Sequence, residues 1–142
     1  MGPLVGESGR IIVARLMPKE DIVKGTIRTA MEAKVESSVF SIIGTLRKAR
    51  LGFFLGKGQY KPIEFNESLE IVSLVGNTSK KEGEVTVHAH MVVADSEGKA
   101  YGGHVMDGCL IDATGELVMI ELQDIQLRRK PDVATGLNLL DL

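Results

Sequence analysis

The chain has 142 residues and a mass of 15.4 kDa, which is the size of a single domain. Hydrophobic residues make up 44% of the chain and charged residues 25%, a composition that excludes a largely disordered protein. The formal net charge is −2 and the pI is about 5.9, whereas proteins that grip DNA through its phosphates usually carry a basic surplus. The charge therefore weighs against strong DNA binding by this chain alone.

A single cysteine, Cys109, excludes an intrachain disulfide and a cysteine-rich zinc site. No apolar run reaches the roughly 18 residues that a membrane-spanning helix needs. The N-terminus also shows no basic segment followed by an apolar stretch, as a secretory signal would. We therefore expect a cytoplasmic protein without a membrane partner.

The first predicted elements are a strand and a helix. Apolar and β-branched residues before Pro18 predict a strand over 10–17. Pro18 to Asp21 is typical of a helix start, because proline suits the first turn and acidic residues favour the positive end of the helix dipole. Helical spacing of apolar residues then predicts a helix over 19–35, with Val23, Ile27, Ala30 and Met31 on its apolar face.

The rest of the chain is predicted to form strands, over 37–46, 48–55, 60–65, 68–77, 84–94, 100–111 and 116–129. Over 68–77 both alternating faces carry apolar side chains, which indicates a strand covered on both sides. One main helix near the N-terminus and about seven strands predict an α+β domain with a mainly antiparallel sheet. We expect one domain over 1–142, with a core over about 10–129 and a weakly patterned tail over 131–142 that is loose or docks on a neighbouring subunit.

The three histidines of the chain, His88, His90 and His104, lie close together in the sequence. Strict alternation over 84–94 places His88 and His90 on the face opposite the apolar stripe. A three-residue loop ending at Gly98 in the left-handed conformation would set His90 opposite His104. A two-residue loop would put His104 on the other face, unless Gly102-Gly103 supplied a bulge.

Three converging neutral imidazoles are suited to Zn(II) or another divalent first-row metal. Three protein ligands leave a fourth position for water or a small molecule, where a metal can activate water or polarise a carbonyl. The alternative is an exposed face, or a subunit interface, that carries histidines by chance. Glu64, Glu70 and Asp107 could act as bases or support a ligand, although the sequence does not place them.

Other patterns favour ordinary structural roles. We expect solvated turns and strand ends at the basic clusters, which are Arg47/Lys48/Arg50, Lys80/Lys81 and Arg128/Arg129/Lys130. Gly56-Lys57-Gly58 lacks the helix start of a phosphate-binding loop and predicts a hairpin turn. Five methionines are expected to fill the core, namely Met17, Met31, Met91, Met106 and Met119.

Several segments carry a family resemblance. These are Arg15-Leu16 with Pro18 to Asp21, Ser41 to Leu46, Leu69 to Asn77, His88-Ala89-His90, and Gly102-Gly103-His104-Val105. In order and spacing they resemble the plants and prokaryotes conserved (PPC) domain over about residues 10–125. The resemblance implies a homotrimer and, in the plant members, nuclear proteins that bind AT-rich DNA through separate AT-hook motifs. The fold and the histidine triad are also similar to acetolactate decarboxylase, a zinc enzyme, although a shared fold does not transfer a reaction.

Three functions follow from these observations. The first is a metal-binding homotrimer that acts on a small molecule at His88, His90 and His104, for example as a zinc-dependent lyase or hydrolase. The second is a DNA-associated protein, which the net charge of −2 and the missing Arg-Gly-Arg-Pro hook disfavour. The third is a structural oligomerisation module.

Overall fold

The computed structural model describes residues 2–142 and has one helix among short and long strands. The elements are β1 (Glu7–Leu16), α1 (Ile22–Ala33), β2 (Ser38–Gly56), β3 (Gln59–Phe65), β4 (Leu69–Lys81), β5 (Glu84–Ala94), β6 (Ala100–Val105), β7 (Leu110–Gln123), β8 (Arg129–Pro131) and β9 (Asn138–Leu140). This part of the chain contains no helix with the length and apolar character that crossing a membrane requires.

Seven strands form one antiparallel sheet in the order β1-β7-β2-β4-β5-β6, with β3 paired to β2. The second half of β2 also pairs with β6, where Gly52 lies opposite His104, so the sheet curls back on itself. Strands β8 and β9 form a separate two-stranded sheet. The predicted α+β class, with a mainly antiparallel sheet and one helix near the N-terminus, is confirmed.

The core lies between the helix and the concave side of the sheet. Helix α1 contacts β1, β5 and β7. The largest side chains that are fully buried are Leu16, Ile22, Val35, Ile42, Leu46, Leu51, Leu69, Leu74, Val93, Ile111, Leu117 and Met119. Burial of aliphatic side chains contributes most of the stabilisation of such a domain, at about 25 cal/mol per Å² of apolar surface.

Helix α1 is shorter than predicted because backbone geometry stops it at both ends. Lys19 has a φ of 72°, Asp21 is the N-cap residue, and Lys34 ends the helix in the left-handed conformation. The buried face also differs from the predicted apolar stripe: it consists of Ile22, Gly25, Thr26, Thr29 and Ala30. The threonines can be buried because each hydroxyl donates to the carbonyl four residues earlier, at 2.8 Å from Thr26 and 2.9 Å from Thr29.

The two strands predicted over 37–46 and 48–55 are one continuous strand, β2. Its first half pairs with β4 and β7, and its second half pairs with β3 and β6. Near Leu46 and Lys48 the register with β7 shifts. The polar residues at this point mark a change of partners rather than a break in the strand.

The boundaries of the later strands also differ from those predicted from the sequence. A turn over residues 106–109 separates β6 from β7, where a single strand over 100–111 was expected. Gly108 has a φ of 103° there, and its N–H donates to the Asp21 carboxylate at 2.7 Å. At the other end β7 stops at Gln123, before Asp124, which has a φ of 64°, so the predicted strand over 116–129 was too long.

The predicted cover on both faces of the 68–77 strand is absent within the described chain, where a bulge also changes the alternation of β4. The register with β5 shifts between Ile71 and Ser73, and consequently Leu74 points into the core with Leu69 and Ile71. Val72 and Val75 are exposed instead. Of the methionines expected in the core, Met91 and Met119 are buried, whereas Met17 and Met31 are exposed.

The convex side of the sheet carries an exposed apolar surface, which we call the apolar sheet face. Its members are Ile11, Val13, Val39, Val75 and Val118, each at least 40% exposed. Pairing aligns them in rows across neighbouring strands, since Val13 lies opposite Val118 and Val75 lies opposite His90. The apolar sheet face therefore runs up to the histidine strand.

We predict that Asp21→Ala lowers the free energy of unfolding by about 2 kcal/mol. The carboxylate caps α1 by accepting from Val23 N–H at 2.9 Å and Lys24 N–H at 3.1 Å, and it also holds the Gly108 N–H. Urea unfolding at fixed protein concentration measures the change. Asp107→Ala, in the exposed turn beside Gly108, is the matched control and should leave the midpoint in place. Equal midpoints for the two variants would contradict this role of Asp21.

Candidate metal centre

The turn between β5 and β6 sets the register of the histidines. Asp95 N–H donates to Lys99 O at 3.0 Å, and the Asp95 carboxylate accepts from the N–H groups of Glu97 at 3.0 Å and Lys99 at 2.9 Å. Gly98 has a φ of 78°, the left-handed conformation that this loop needs. The predicted three-residue loop is confirmed, and His90 lies opposite His104.

No bulge occurs at Gly102-Gly103, because the register runs evenly from His90–His104 to Ala94–Ala100. Gly103 instead permits a close approach of β2. A Cβ atom there would lie 3.0 Å from Gly52 O and 3.2 Å from Leu51 Cβ. The absence of a side chain lets β6 pair with β2 beside His104.

The three imidazoles converge as the alternation predicted. Ring centroids are 5.2 Å apart for His88–His90 and His88–His104, and 5.5 Å apart for His90–His104. One nitrogen from each ring lies within 4.8 Å of the other two. Tetrahedral zinc holds nitrogens at 2.0–2.1 Å from the ion, hence about 3.4 Å from one another, so ring rotations would close the remaining gap.

The surroundings of His104 fit a metal ligand. Its ring stacks on Tyr60 with centroids 4.7 Å apart and an interplanar angle of 25°. Its Nδ1 is buried and has no hydrogen-bond partner within the described residues. A buried nitrogen without a partner costs free energy, which coordination of an ion or a bound water would recover.

The imidazoles are held in the neutral form that binds metals. Burial lowers the pKa of His88 to about 4, with smaller contributions from Arg129, His104 and His90. Burial, followed by His90 and Arg129, also lowers the pKa of His104. At neutral pH each of these rings is therefore neutral and carries one nitrogen lone pair, as a metal ligand must.

Arg129 is a residue of the site that the sequence analysis assigned to a solvated basic cluster. Its Nε donates to Ser79 Oγ at 2.9 Å, its Nη2 to Asn77 Oδ1 at 2.9 Å, and its Nη1 to Asn138 O at 3.0 Å. The Nη2 atom also lies 3.4 Å from His88 Nδ1. The only sequence signal was the polar pair Asn77 and Ser79, two residues apart on β4 and opposite His88 and Thr86.

The C-terminal tail folds back onto the site as the β8–β9 hairpin. Gly58 N–H donates to Thr135 O at 2.7 Å, and Gly58 and Gly136, both with a φ of 72°, touch backbone to backbone. A Cβ on Gly58 would lie 2.6 Å from Gly136 O, so only glycine allows this contact. The predicted Gly56–Gly58 hairpin turn is thus also the anchor of the tail.

The tail borders an open pocket of about 260 Å³ beside His88 and His104, which we call the tail cavity. Its other lining residues are Tyr60, Lys81, Thr86, Val87, Arg129, Leu137, Asn138 and Leu139. A larger groove of about 1050 Å³ lies between the N-terminal residue Leu4 and the 121–128 segment, and no histidine lines it. The tail cavity, unlike this groove, is lined by two of the three histidines.

The carboxylates considered in the sequence analysis do not join the triad. Glu64 pairs with Arg50 at 3.2 Å, and Glu70 and Asp107 are exposed. Cys109 is buried elsewhere, where burial raises the pKa of its thiol to about 11. Within the described residues the cluster consists of His88, His90 and His104.

The sequence of this chain is similar to segments of longer curated proteins. Two curated relatives, both a bifunctional protein GlmU of Synechococcus strains, are 35% and 34% identical over 135 residues. The match covers 94% of this chain, which spans about a fifth of the length of these relatives.

Solved structures match over nearly the whole chain. A plant- and prokaryote-conserved protein from Pyrococcus horikoshii is 32% identical with a TM-score of 0.91, covering 100% of this chain and 98% of the other. A metal-containing protein from Archaeoglobus fulgidus is 29% identical, also with a TM-score of 0.91, and covers 100% of both chains. A protein from Bacteroides thetaiotaomicron, whose name proposes that it binds DNA, is 26% identical with a TM-score of 0.84 and 96% coverage of each chain.

The model of one family matches residues 4–123, which include β1 to β7 and all three histidines. Its description agrees with the resemblance carried by His88-Ala89-His90 and Gly103-His104. The chain belongs to the family of the Plants and Prokaryotes Conserved domain, abbreviated PCC or PPC.

Proposed function

We propose that the chain binds one divalent first-row cation, zinc above others, through His88, His90 and His104. The observation that carries the proposal is the convergence of three ring nitrogens within 4.8 Å, with neither a carboxylate nor a thiolate in the cluster. The unpartnered Nδ1 of His104 and the metal-containing relative from Archaeoglobus fulgidus support it. Nitrogen ligands of this kind are preferred by zinc, copper, nickel and iron over calcium or magnesium.

The site leaves room for a small molecule. Three protein ligands leave a fourth position on a tetrahedral ion, and the tail cavity opens beside two of the three histidines. A bound cation supplies Lewis acidity at this position. We propose a reaction of the lyase or hydrolase type on a small molecule, with Tyr60 and Arg129 positioning the substrate and the tail excluding water.

We further propose that the protein is a homotrimer. The apolar sheet face is the support from the structure, since contiguous exposed apolar surface of this kind marks an interaction site. The row that contains Val75 ends at His90 and His104, so an assembly through this face would also cover the exposed side of the triad.

DNA is the weaker candidate partner. The net charge is −2, and acidic residues neutralise members of the predicted basic clusters: Arg50 pairs with Glu64, Lys80 with Glu36, and Lys130 with Asp141. Phosphate binding would have to break these pairs. We propose that this chain alone does not bind DNA with sequence preference.

We predict that His90→Ala weakens zinc binding at least tenfold, because it removes one of three ligands. His90 is exposed, so the fold should survive. Competition with a chromophoric chelator measures the affinity, and metal analysis of the purified protein measures the stoichiometry. Val92→Ala, two residues along the same face of β5, is the matched control. Unchanged zinc affinity and stoichiometry in His90→Ala would refute the site.

We predict that the metal-free protein loses stability as the pH falls from about 6.5 to about 4. The pKa of His88 is about 4 in the folded chain and near 6.5 in the unfolded chain, so the unfolded chain binds this proton first. The contribution is complete above the unfolded pKa and is lost as the pH drops through this window.

Urea unfolding in the presence of a chelator, at several pH values, tests the sign. The wild-type midpoint should fall more steeply with decreasing pH than that of His88→Asn. Parallel curves would show that burial of His88 does not shift its protonation. The same lowered pKa implies that proton competition with metal at His88 begins at a lower pH than for an exposed imidazole.

We predict a mass of about three times 15.4 kDa by light scattering at micromolar concentration. Stable interfaces bury over about 1,000 Å² in total, and we expect the apolar sheet face to form the centre of such an interface. Val118→Glu, in the middle of that face, should shift the mass toward the monomer. Val133→Glu, at a fully exposed position in the tail, should leave the assembly intact. A wild-type mass near 15.4 kDa would disprove the trimer.

A further inference from the structure

The charged side chains that line the tail cavity are all positive. Its lining includes two cationic side chains, Lys81 and Arg129, and no aspartate or glutamate. Within residues 2–142 neither cation forms a salt bridge, although several other arginines and lysines do. Charged groups that are removed from water are normally paired with an opposite charge. The half-buried Arg129 has no such partner in this part of the chain, so an anionic ligand would stabilise it.

The guanidinium of Arg129 is held in one orientation rather than free to swing. Ser79 Oγ, Asn77 Oδ1 and Asn138 O each accept one of its N–H groups at 2.9–3.0 Å. All three acceptors are neutral, so these bonds fix the group without cancelling its charge. An arginine fixed in this way presents its remaining donors at a defined place, as recognition of a planar anion requires.

Metal binding at the triad would increase the preference of the tail cavity for an anion. A neutral imidazole has one lone pair, so His88 cannot both ligate a cation and accept from Arg129 Nη2, which now lies 3.4 Å from its Nδ1. The Arg129 donor would then lose that acceptor while a second positive charge arrived nearby. Two positive centres bordering one cavity favour a ligand that carries negative charge.

The size and remaining lining of the cavity narrow the ligand class. About 260 Å³ is below the usual range for drug-sized ligands, which indicates a molecule of few atoms. Leu137, Leu139 and Val87 add apolar side chains to the lining of the cavity. A carboxylate on a short apolar body matches this combination better than an inorganic ion does.

We propose that the tail cavity binds a small organic carboxylate, with Arg129 and Lys81 receiving the carboxylate and the tail leucines receiving the apolar part. This inference deepens the proposed function, since it names the substrate class of the metal site. The anion-binding residues are nevertheless separate from the metal ligands, so binding of the carboxylate does not require the metal.

The experiment is a calorimetric titration of the full chain with butyrate and with butanamide, its neutral counterpart, in metal-free and zinc-loaded forms. Butyrate should bind the metal-free protein, and at least tenfold more tightly once zinc is bound. Butanamide should bind at least tenfold more weakly than butyrate. Equal binding of butyrate and butanamide would overturn the proposal, as would binding of inorganic phosphate more tightly than butyrate.

Variants assign the binding to the tail cavity. Arg129→Gln should weaken butyrate binding at least tenfold, whereas Arg128→Gln, the same change one residue earlier at an exposed position, should not. Because Arg129 also ties the tail to β4, Lys81→Gln provides a second arm that leaves those bonds in place, and it should weaken binding severalfold. Wild-type affinity in both Arg129→Gln and Lys81→Gln would overturn the assignment.

The metal-free arm separates failure of this inference from failure of the metal site. A protein that binds butyrate through Arg129 and takes up no zinc would retain the carboxylate site and refute the metal proposal. A protein that takes up zinc through the histidines and ignores butyrate in both forms would refute the carboxylate site alone.

Discussion

The pairing of His90 with His104 is the constraint on which the candidate site depends. It is set by the Asp95–Lys99 turn, whose carboxylate accepts two backbone N–H groups and whose Gly98 adopts a left-handed conformation. Because side chains alternate along a strand, a slip of one residue would send His104 to the core face. It would also place Val105, now buried, on the surface. The register that buries the core is therefore the register that gathers the imidazoles.

The site places neutral histidines beside a positively charged arginine. Burial keeps His88 and His104 neutral, so that they can serve as ligands, while Arg129 brings a permanent charge into contact with one of them. If the site had only to bind a metal ion tightly, a neighbouring positive charge would be a disadvantage, because it repels the ion. Arg129, which is fixed by three neutral acceptors, therefore suits the anion proposed for the tail cavity better than it suits the proposed metal.

The sequence predicted those features that local patterns encode. Alternation over 84–94 placed His88 and His90 on one face, and a three-residue loop ending at Gly98 was the alternative that brought His104 beside them, as the structure shows. The sequence did not predict that β2 continues past Leu46, because a change of strand partners leaves no mark in a pattern that records only burial. Nor did it predict Arg129, which reaches His88 from 41 positions away through a tail without clear periodicity. Contacts of that kind depend on where the C-terminal tail packs against the rest of the chain. In this protein the close backbone contact between Gly58 and Gly136 fixes that position.

The division of the site between sheet and tail has a consequence for the family. Its histidines lie within the matched residues 4–123, whereas Arg129, Leu137, Asn138 and Leu139 lie beyond them. The proposed metal ligands thus lie in the matched part of the chain, whereas four of the ten residues that line the tail cavity lie after it. Exchange of the segment after residue 128 would change four of the ten residues that line the tail cavity and none of the three histidines.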